Sequence, residues 1–571
     1  MSVFFNGRLY VSPTTMSTVD DSALANQNLS VGNVVALIGA SEGGEPNKAL
    51  RFGSPSEAQA VLRSGELLNA VQKAFDPSSQ TDGPSTVVVV RVNPAARASL
   101  NLKDGSSNDV ISLQSTDYGA YTNQIKVKVE SGSTAGKKIT TQLGDEYYTQ
   151  DNIARNAFQV QYTGPQLTAT MSITGTIVTL QAPSGSTVAS IDLSVYRTIQ
   201  QLADRINSVG GFAAAVLEGN AERISLNGLD YVSAVDVKTS AYTARADLQA
   251  VIDWINNNAE GYLNATRAAD AGAAPANIGF TYLTGGTNGV ITNQDWSNAY
   301  TTLQAEGVQW VCPVTPEPSI HAMNDAHCAF MSTVARSERR GIVGTQIGTT
   351  DSAAISAAKA LNSDRTSLVH IGFYDYDAQG ALVLYPPYIL AALLAGAFSG
   401  VNPGTALTNK SIKARGLERN LRNPTDTDVL IQGGVMCVEN TPNGYKVVKS
   451  ISTWLTNTNY NRVEVSVGAA VDFVSRSVRL ALDVLRGEKS SQTTLSRAAS
   501  ITDSTLRELA RPEPQGPGVI VGNAQNPAYK NINASIDGDV LRVEFQCSPV
   551  IPVNYIPITI FAVPFSGSVA A

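Results

Sequence analysis

Ser41 stands in Gly39-Ala40-Ser41-Glu42-Gly43, the G-x-S-x-G spacing of a nucleophile elbow. The spacing follows an apolar run at residues 34–38, as an elbow requires. Gly44 and Pro46 then occupy the place where a helix would have to begin at the serine, so a glycine-rich loop is the plainer reading. A general base would have to come from only three histidines, His321, His327 and His370. Two of them fall in HAMNDAHC (321–328) with Asp325 and Cys328. His321 and Asp325, four apart, share a helix face, whereas His327 lies about 240° round from His321. Zinc wants three or four convergent ligands. This spacing offers two at best, and the expectation is a solvated helix start with no metal. SGSTAGKK (131–138) has one residue too few between its glycines for a phosphate loop, and Lys138 stands where Ser or Thr would meet magnesium. Lying between strands, it reads as a hairpin loop. The basic clusters at 338–340 and 413–419 and the arginines of 464–486 are not interleaved with aromatics, so single-strand nucleic-acid binding is not expected. No catalytic set, cofactor site or metal site emerges, and the expectation is that this is not an enzyme.

The bulk properties agree. The chain has 571 residues, enough for three to four domains of ordinary size. Lys and Arg number 41 against 48 Asp and Glu, a net charge of −7, without the basic excess of a nucleic-acid binder. With 43% hydrophobic and 16% charged residues it is not a disordered polymer. Four cysteines, Cys312, Cys328, Cys437 and Cys547, cannot form a disulfide framework. The amino terminus lacks a charged stretch followed by an apolar one, so no secretory signal is expected. ALVLYPPYILAALLAGAF (381–398) is uncharged over 18 residues, but Pro386 and Pro387 divide it. A strand and then a buried core helix with proline in its first turn fit better than a membrane span.

The elements that would position these residues alternate. The first 30 residues read as an arm with a short extended run, Leu9, Tyr10 and Val11. Residues 34–38 and 86–92 are continuous apolar runs, as in strands covered on both faces. Between them, helices are expected from about Pro55, capped by Ser54, and around 66–75. The same strand–helix alternation returns from Ile278 through VQWVCPV, 322–337, GIVGT, AAISAAKAL and SLVHIGF. That predicts a discontinuous doubly wound α/β domain, 31–104 and 276–450. Between its halves, 105–275 has short alternating strands such as IKVKVE, with helices near 199–208 and 246–257. It reads as an inserted β-rich α+β domain.

Residues 451–571 form a C-terminal α+β domain. Val467, Val471, Val474, Val478, Leu482 and Leu485 recur at helical steps, which leaves Arg476, Arg479 and Arg486 largely outside the stripe. SIDGDVLRVEF predicts a hairpin turning near Asp537-Gly538, and NYIPITIFAVPF predicts a final, proline-broken edge strand.

Several of these segments together resemble the contractile tail sheath proteins of tailed bacteriophages and related injection systems. VVALIGASEGGEPNKALRFGSPSEAQAVL is similar to the family's opening strand, loop and helix. LTGGTNG (283–289) with the helix and strand behind it resembles its double-glycine turn. SERRGIVG (337–344) matches its E-R-R-hydrophobic run. PPYILAALLAGAF followed by NKSIKARGLE, GGVMCVENTPNGYKVVKSIST, and DGDVLRVEFQCSPVIPVNYIPITIF resemble its later segments. The likeness covers roughly 1–95 and 278–571. It departs at NGRLYVSP, which replaces the usual P-G-V-Y arm, and at 105–270, which has no clear counterpart.

The resemblance implies a subtilisin-like central domain in fold only. It implies a structural subunit that stacks as hexameric rings around a tail tube and contracts to drive the tube through the host envelope. Implied partners are further copies of the chain, the tail tube protein, and baseplate and tail terminator proteins. No direct nucleic-acid partner and no membrane insertion are implied. The implied location is the virion, after assembly in the host cytoplasm. Linking strands between subunits would use Leu9, Tyr10 and Val11 at one end and Ile558, Thr559, Ile560 and Phe561 at the other. Arg476 and Arg479 would be candidate tube-facing residues. The rival readings are a serine hydrolase using Ser41 and a surface-layer or fibre protein.

Overall fold

The computed structural model describes residues 34–258, 261–268, 272–563 and 567, with the backbone of Val3–Phe5 and Arg8–Tyr10. These residues form two compact units. One comprises 1–41, 47–92 and 292–571, and the other 42–46 and 93–291. The second unit is wider at both ends than the expected 105–275, because strand Ser99–Lys103 pairs with Asp109–Ser115 and Ser99 bridges Thr284.

The first unit is built on a six-stranded sheet. Its order is Thr366–Val369, Arg340–Gly344, Trp310–Pro313, Val34–Gly39, Thr86–Arg91 and Ala49–Phe52. Every pairing is parallel except the last. Side chains alternate across a strand, and both faces are covered, which is why the strands read as unbroken apolar runs. Val35, Leu37, Val87 and Val89 join one core with Leu67, Val71 and Ile389. Ala36, Ile38, Val88 and Val90 join another with Trp296, Tyr300 and Ile320. Helix Pro55–Leu62 is capped by Ser54, as expected.

Helix Pro387–Ser399 is buried at every residue. It packs on helix Glu66–Phe75 so closely that a Cβ on Gly396 would lie 2.1 Å from the Ala74 carbonyl oxygen. The apolar stretch is therefore core, and no described helix is long and apolar enough to cross a membrane.

Toward the carboxy terminus, helix Val465–Leu482 packs Ala470, Phe473, Val474 and Val478 against Leu506 and Leu509 of helix Gln492–Leu509, with Val519 and Ile520. Strands Tyr529–Asp537 and Val540–Cys547 form the expected hairpin, and Gly538 takes the turn at φ 62°. The expected final strand differs. Among the described residues, 551–563 carries no strand pairing. A strand needs a partner for its main-chain groups, and Pro552 and Pro557 each remove a donor.

The second unit is antiparallel and holds two separate cores, the sequence of one inserted within that of the other. Sheets of strands from 99–153 and 263–282 enclose a core with helix Asp247–Asn258. Residues 157–246 form their own core with helix Ile199–Asn207. SGSTAGKK is the loop of a hairpin between Lys126–Ser131 and Lys137–Leu143.

Candidate functional site

None of the residues singled out for chemistry is arranged to perform it. Ser41 is 4% exposed, and the next helix does not begin until Pro55. The 321–328 cluster lies on helix Pro318–Thr333, and its histidines are buried, not solvated as expected. His321 Nε2 bonds the Thr315 carbonyl oxygen at 2.9 Å. Asp325 accepts from the Thr366 hydroxyl at 2.6 Å. His327 Nε2 meets Arg339 Nη1 at 2.8 Å, so it is the acceptor. Burial and then the Arg339 charge push His327 down to about 3, which keeps it neutral. His370 Nε2 bonds Asp351 at 2.8 Å, and Arg419 contacts the same carboxylate. Burial pushes the thiols of Cys328 and Cys437 up to about 12, so they are not nucleophiles at neutral pH. Among the described residues no group of His, Cys, Asp or Glu is arranged to hold a metal ion.

The charged chemistry is concentrated instead on the E-R-R run, where each residue takes a different partner. Arg339 is fully buried. It donates at 2.9 Å to the carbonyl oxygen of Leu303, which the end of helix Asn293–Leu303 leaves open, and at 2.5 Å to that of Glu306 in the turn beyond. Arg340 donates to Asp472 at 2.8 Å and to the Asp364 carbonyl oxygen at 2.8 Å. Arg365 reaches the same Asp472 carboxylate at 2.8 Å. Burial alone would raise the Asp472 pKa, but Arg340 and Arg365 overcome it and hold that carboxyl below its usual range. Glu338 is paired with Arg479.

Arg476 and Arg479 therefore do not project away from the core. Arg476 Nη1 donates to the Glu338 carbonyl oxygen at 3.2 Å, and Arg479 binds the Glu338 carboxylate and the Arg336 carbonyl oxygen. The apolar stripe did not show this second buried face, because the helix also packs its polar side, including Asp472 and Ser477, inward.

At the chain ends the structure is different in kind. Arg8–Tyr10 pairs antiparallel with Val3–Phe5, with Leu9 opposite Phe4 and Tyr10 opposite Val3. Val11 lies outside the described residues. Near the other end, Asn554 donates to Glu464 at 2.8 Å, and Lys449 sits over the Tyr555 ring. Beyond that anchor Ile558, Ile560 and Phe561 are 79, 84 and 86% exposed, and Thr559 is exposed too.

No family model matches the chain. Across 99% of its length it is 28% identical to the tail sheath protein of Bacillus phage SP01, covering 98% of that protein. It is also 28% identical to the putative tail sheath protein of Enterococcus phage phiEF24C, with 96% of each chain covered. The solved structure of the sheath tail protein from Desulfitobacterium hafniense shares the fold, with a TM-score of 0.56 over 95% of this chain and 96% of that one at 13% identity. Along essentially its whole length the chain is similar to phage tail sheath proteins, and those proteins are named as sheath proteins, not as enzymes.

Proposed function

We propose that the chain is the structural subunit of a contractile tail sheath. Copies polymerise as stacked hexameric rings around a tail tube and shorten to drive the tube through the host envelope. The end-to-end similarity to phage tail sheath proteins carries this reading. The exposed carboxy-terminal segment supports it. A run of apolar residues with unpaired main-chain groups is stabilised by joining a neighbour's sheet, where backbone hydrogen bonds supply the affinity. Leu9, Tyr10, Val11 and Ile558 to Phe561 are the linking residues in this scheme.

The partners are further copies, the tail tube protein, and baseplate and terminator proteins. The protein resides in the virion and assembles in the host cytoplasm. The central sheet takes the subtilisin-like arrangement of the family, without its chemistry. Helix Val465–Leu482 is the candidate tube-facing element and Arg476 and Arg479 its candidate tube-facing residues, each also bonded to Glu338. Negative-stain microscopy of the purified full-length protein tests the reading. Striated tubes or sleeves are expected, and a monomer that forms no ordered polymer at any concentration would overturn it.

A further inference from the structure

Lys449, Glu464 and Asn554 meet at one carboxylate oxygen. Lys449 lies just past the strand Gly444–Val447. Ile451 bridges Glu464 antiparallel, and the Val465 amide donates to the Ser450 carbonyl oxygen at 3.3 Å. Residues 449–451 therefore run along the start of helix Val465–Leu482. The carboxy-terminal segment brings Asn554 to the same place. Lys449 Nζ lies 3.2 Å from Glu464 Oε1, and Asn554 Nδ2 donates to that oxygen at 2.8 Å. The Glu464 side chain is 1% exposed and that of Lys449 19%, with the Tyr555 ring centroid 5.6 Å from Nζ.

A buried ion pair accounts for Lys449 and Glu464 but leaves the amide unexplained. Glu464 Oε2 and Asn554 Oδ1 are both buried without a hydrogen-bond partner. Native interiors rarely leave such atoms bare. Burial holds the Glu464 carboxyl above its usual range, although Lys449 and Asn554 pull it the other way. An amine, a primary amide and a carboxyl that readily takes a proton are the two reactants and the acid–base group of an amide exchange. Lysine touches asparagine elsewhere too, Lys446 with Asn409 at 2.9 Å and Lys137 with Asn277 at 3.1 Å. Both of those pairs are exposed, and among the described residues no carboxylate is bonded to either.

We infer that Lys449 and Asn554 join through an isopeptide bond, with Glu464 as the acid–base catalyst. Desolvation alone would lower the Lys449 amine, but Glu464 and Tyr555 outweigh it, so Nζ rests as the ammonium. It first passes a proton to Glu464 and becomes a neutral nucleophile. A half-turn of the Asn554 amide then sets Oδ1 on the protonated carboxyl. Nζ attacks Cγ, and the carboxyl stabilises the negative oxygen that forms. A second Nζ proton crosses through Glu464 to Nδ2, the Cγ–Nδ2 bond breaks, and ammonia leaves. The ammonia takes the proton remaining on Glu464 and departs as ammonium, which restores the carboxylate. No oxidant, reductant or cofactor enters the balance. Holding amine and amide on one oxygen supplies the proximity the attack requires.

The bond does not rest on the sheath reading. In a sheath it would fix the root of the linking arm, so that tension on Ile558 to Phe561 passes into the body of the subunit at Lys449.

Intact mass of the purified full-length protein, followed by tryptic mapping of the denatured chain, tests the inference. The expected mass is that of the sequence less one ammonia. A branched peptide should join Lys449, uncut by trypsin, to the carboxy-terminal peptide that carries Asn554. Glu464→Gln and, separately, Lys449→Arg should each give the full mass and linear peptides only, with circular dichroism verifying that both still fold. The unaltered protein is decisive on its own. Full sequence mass with ordinary cleavage after Lys449, or an ammonia loss mapped to another asparagine, would overturn the proposal. A branched peptide that persists in Glu464→Gln would remove Glu464 from its role. Tube formation is read separately by microscopy, so failure of the bond and failure of the sheath reading are distinguishable.

Discussion

Arg340 Nε lies 2.8 Å from Asp472 Oδ2, and this buried ion pair joins the first residue of a central-sheet strand to the middle of the long carboxy-terminal helix. Space for the guanidinium comes from Gly468, one turn earlier on the helix. A Cβ there would meet Arg340 Nη2 at 2.1 Å. The pair thus depends on a charge, a countercharge and a missing side chain, drawn from segments far apart in the chain.

Removing the carboxylate should be expensive. In Asp472→Ala, Arg340 and Arg365 lose their shared partner while Arg340 remains buried. Breaking a buried pair on one side costs roughly 3–5 kcal/mol. Urea unfolding of the variant should show that loss, and Gly468→Ala should move the midpoint in the same direction. A midpoint equal to that of the parent protein would mean that the helix is held by its apolar face alone.

Acid should weaken the fold through His327. Its folded pKa, about 3, lies below the usual value of 6.5, so between those values the unfolded chain binds a proton that the folded chain refuses. Stability therefore falls as pH drops from 6.5 toward 3, by on the order of a few kcal/mol. Asp472 adds to this. Its depressed carboxyl stabilises the fold above the ordinary carboxylate pKa of about 4, and the contribution is lost as pH falls through the folded value. Calorimetric midpoints measured from pH 7 to 4 should decline, and His327→Gln should decline less steeply over that span.

The nested core of the second unit should be removable. The Ala246 amide donates to the Arg155 carbonyl oxygen at 2.9 Å, so the two ends of the module lie side by side. Replacing residues 156–245 with a short glycine-serine bridge should leave a soluble, cooperatively unfolding protein, because the surrounding core draws on 98–153 and 248–283. Insolubility, or loss of cooperative unfolding in circular dichroism, would show that the two cores fold as one.

Truncation before Ile551 should separate folding from assembly. Among the described residues of the removed segment, Asn554 and Tyr555 make anchoring contacts, and Ile558 to Phe561 are exposed. Cooperative unfolding should persist while tubes cease to form in negative stain. Normal tubes from the truncated protein would remove the carboxy-terminal arm from the linkage scheme.

Much of the scaffold was legible because its signals are local. Continuous β-branched runs marked Val34–Gly39 and Thr86–Arg91, since strands covered on both faces admit no polar alternation. Pro386 and Pro387 separated the strand Leu382–Tyr385 from the helix behind it. IKVKVE showed the one-sided strand whose outer lysines now lie on an aromatic face. The spacing of the E-R-R run pointed to a family, while its physical role in this chain stayed hidden.

The sequence by itself determined the periods of the elements, the absence of a nucleophile elbow's helix after Ser41, and the likeness to tail sheath proteins. Tertiary structure alone decided what the charges do. Arg476 and Arg479 lie outside the helix's apolar stripe, yet they are held by Glu338, well over a hundred residues earlier. His321 and His327 sit in what reads as a polar helix start, yet they are buried against Thr315 and Arg339. The reason is physical. Periodicity and propensity act over a few residues, whereas a buried ion pair such as Arg340 with Asp472 forms only where packing brings distant segments together and excludes water.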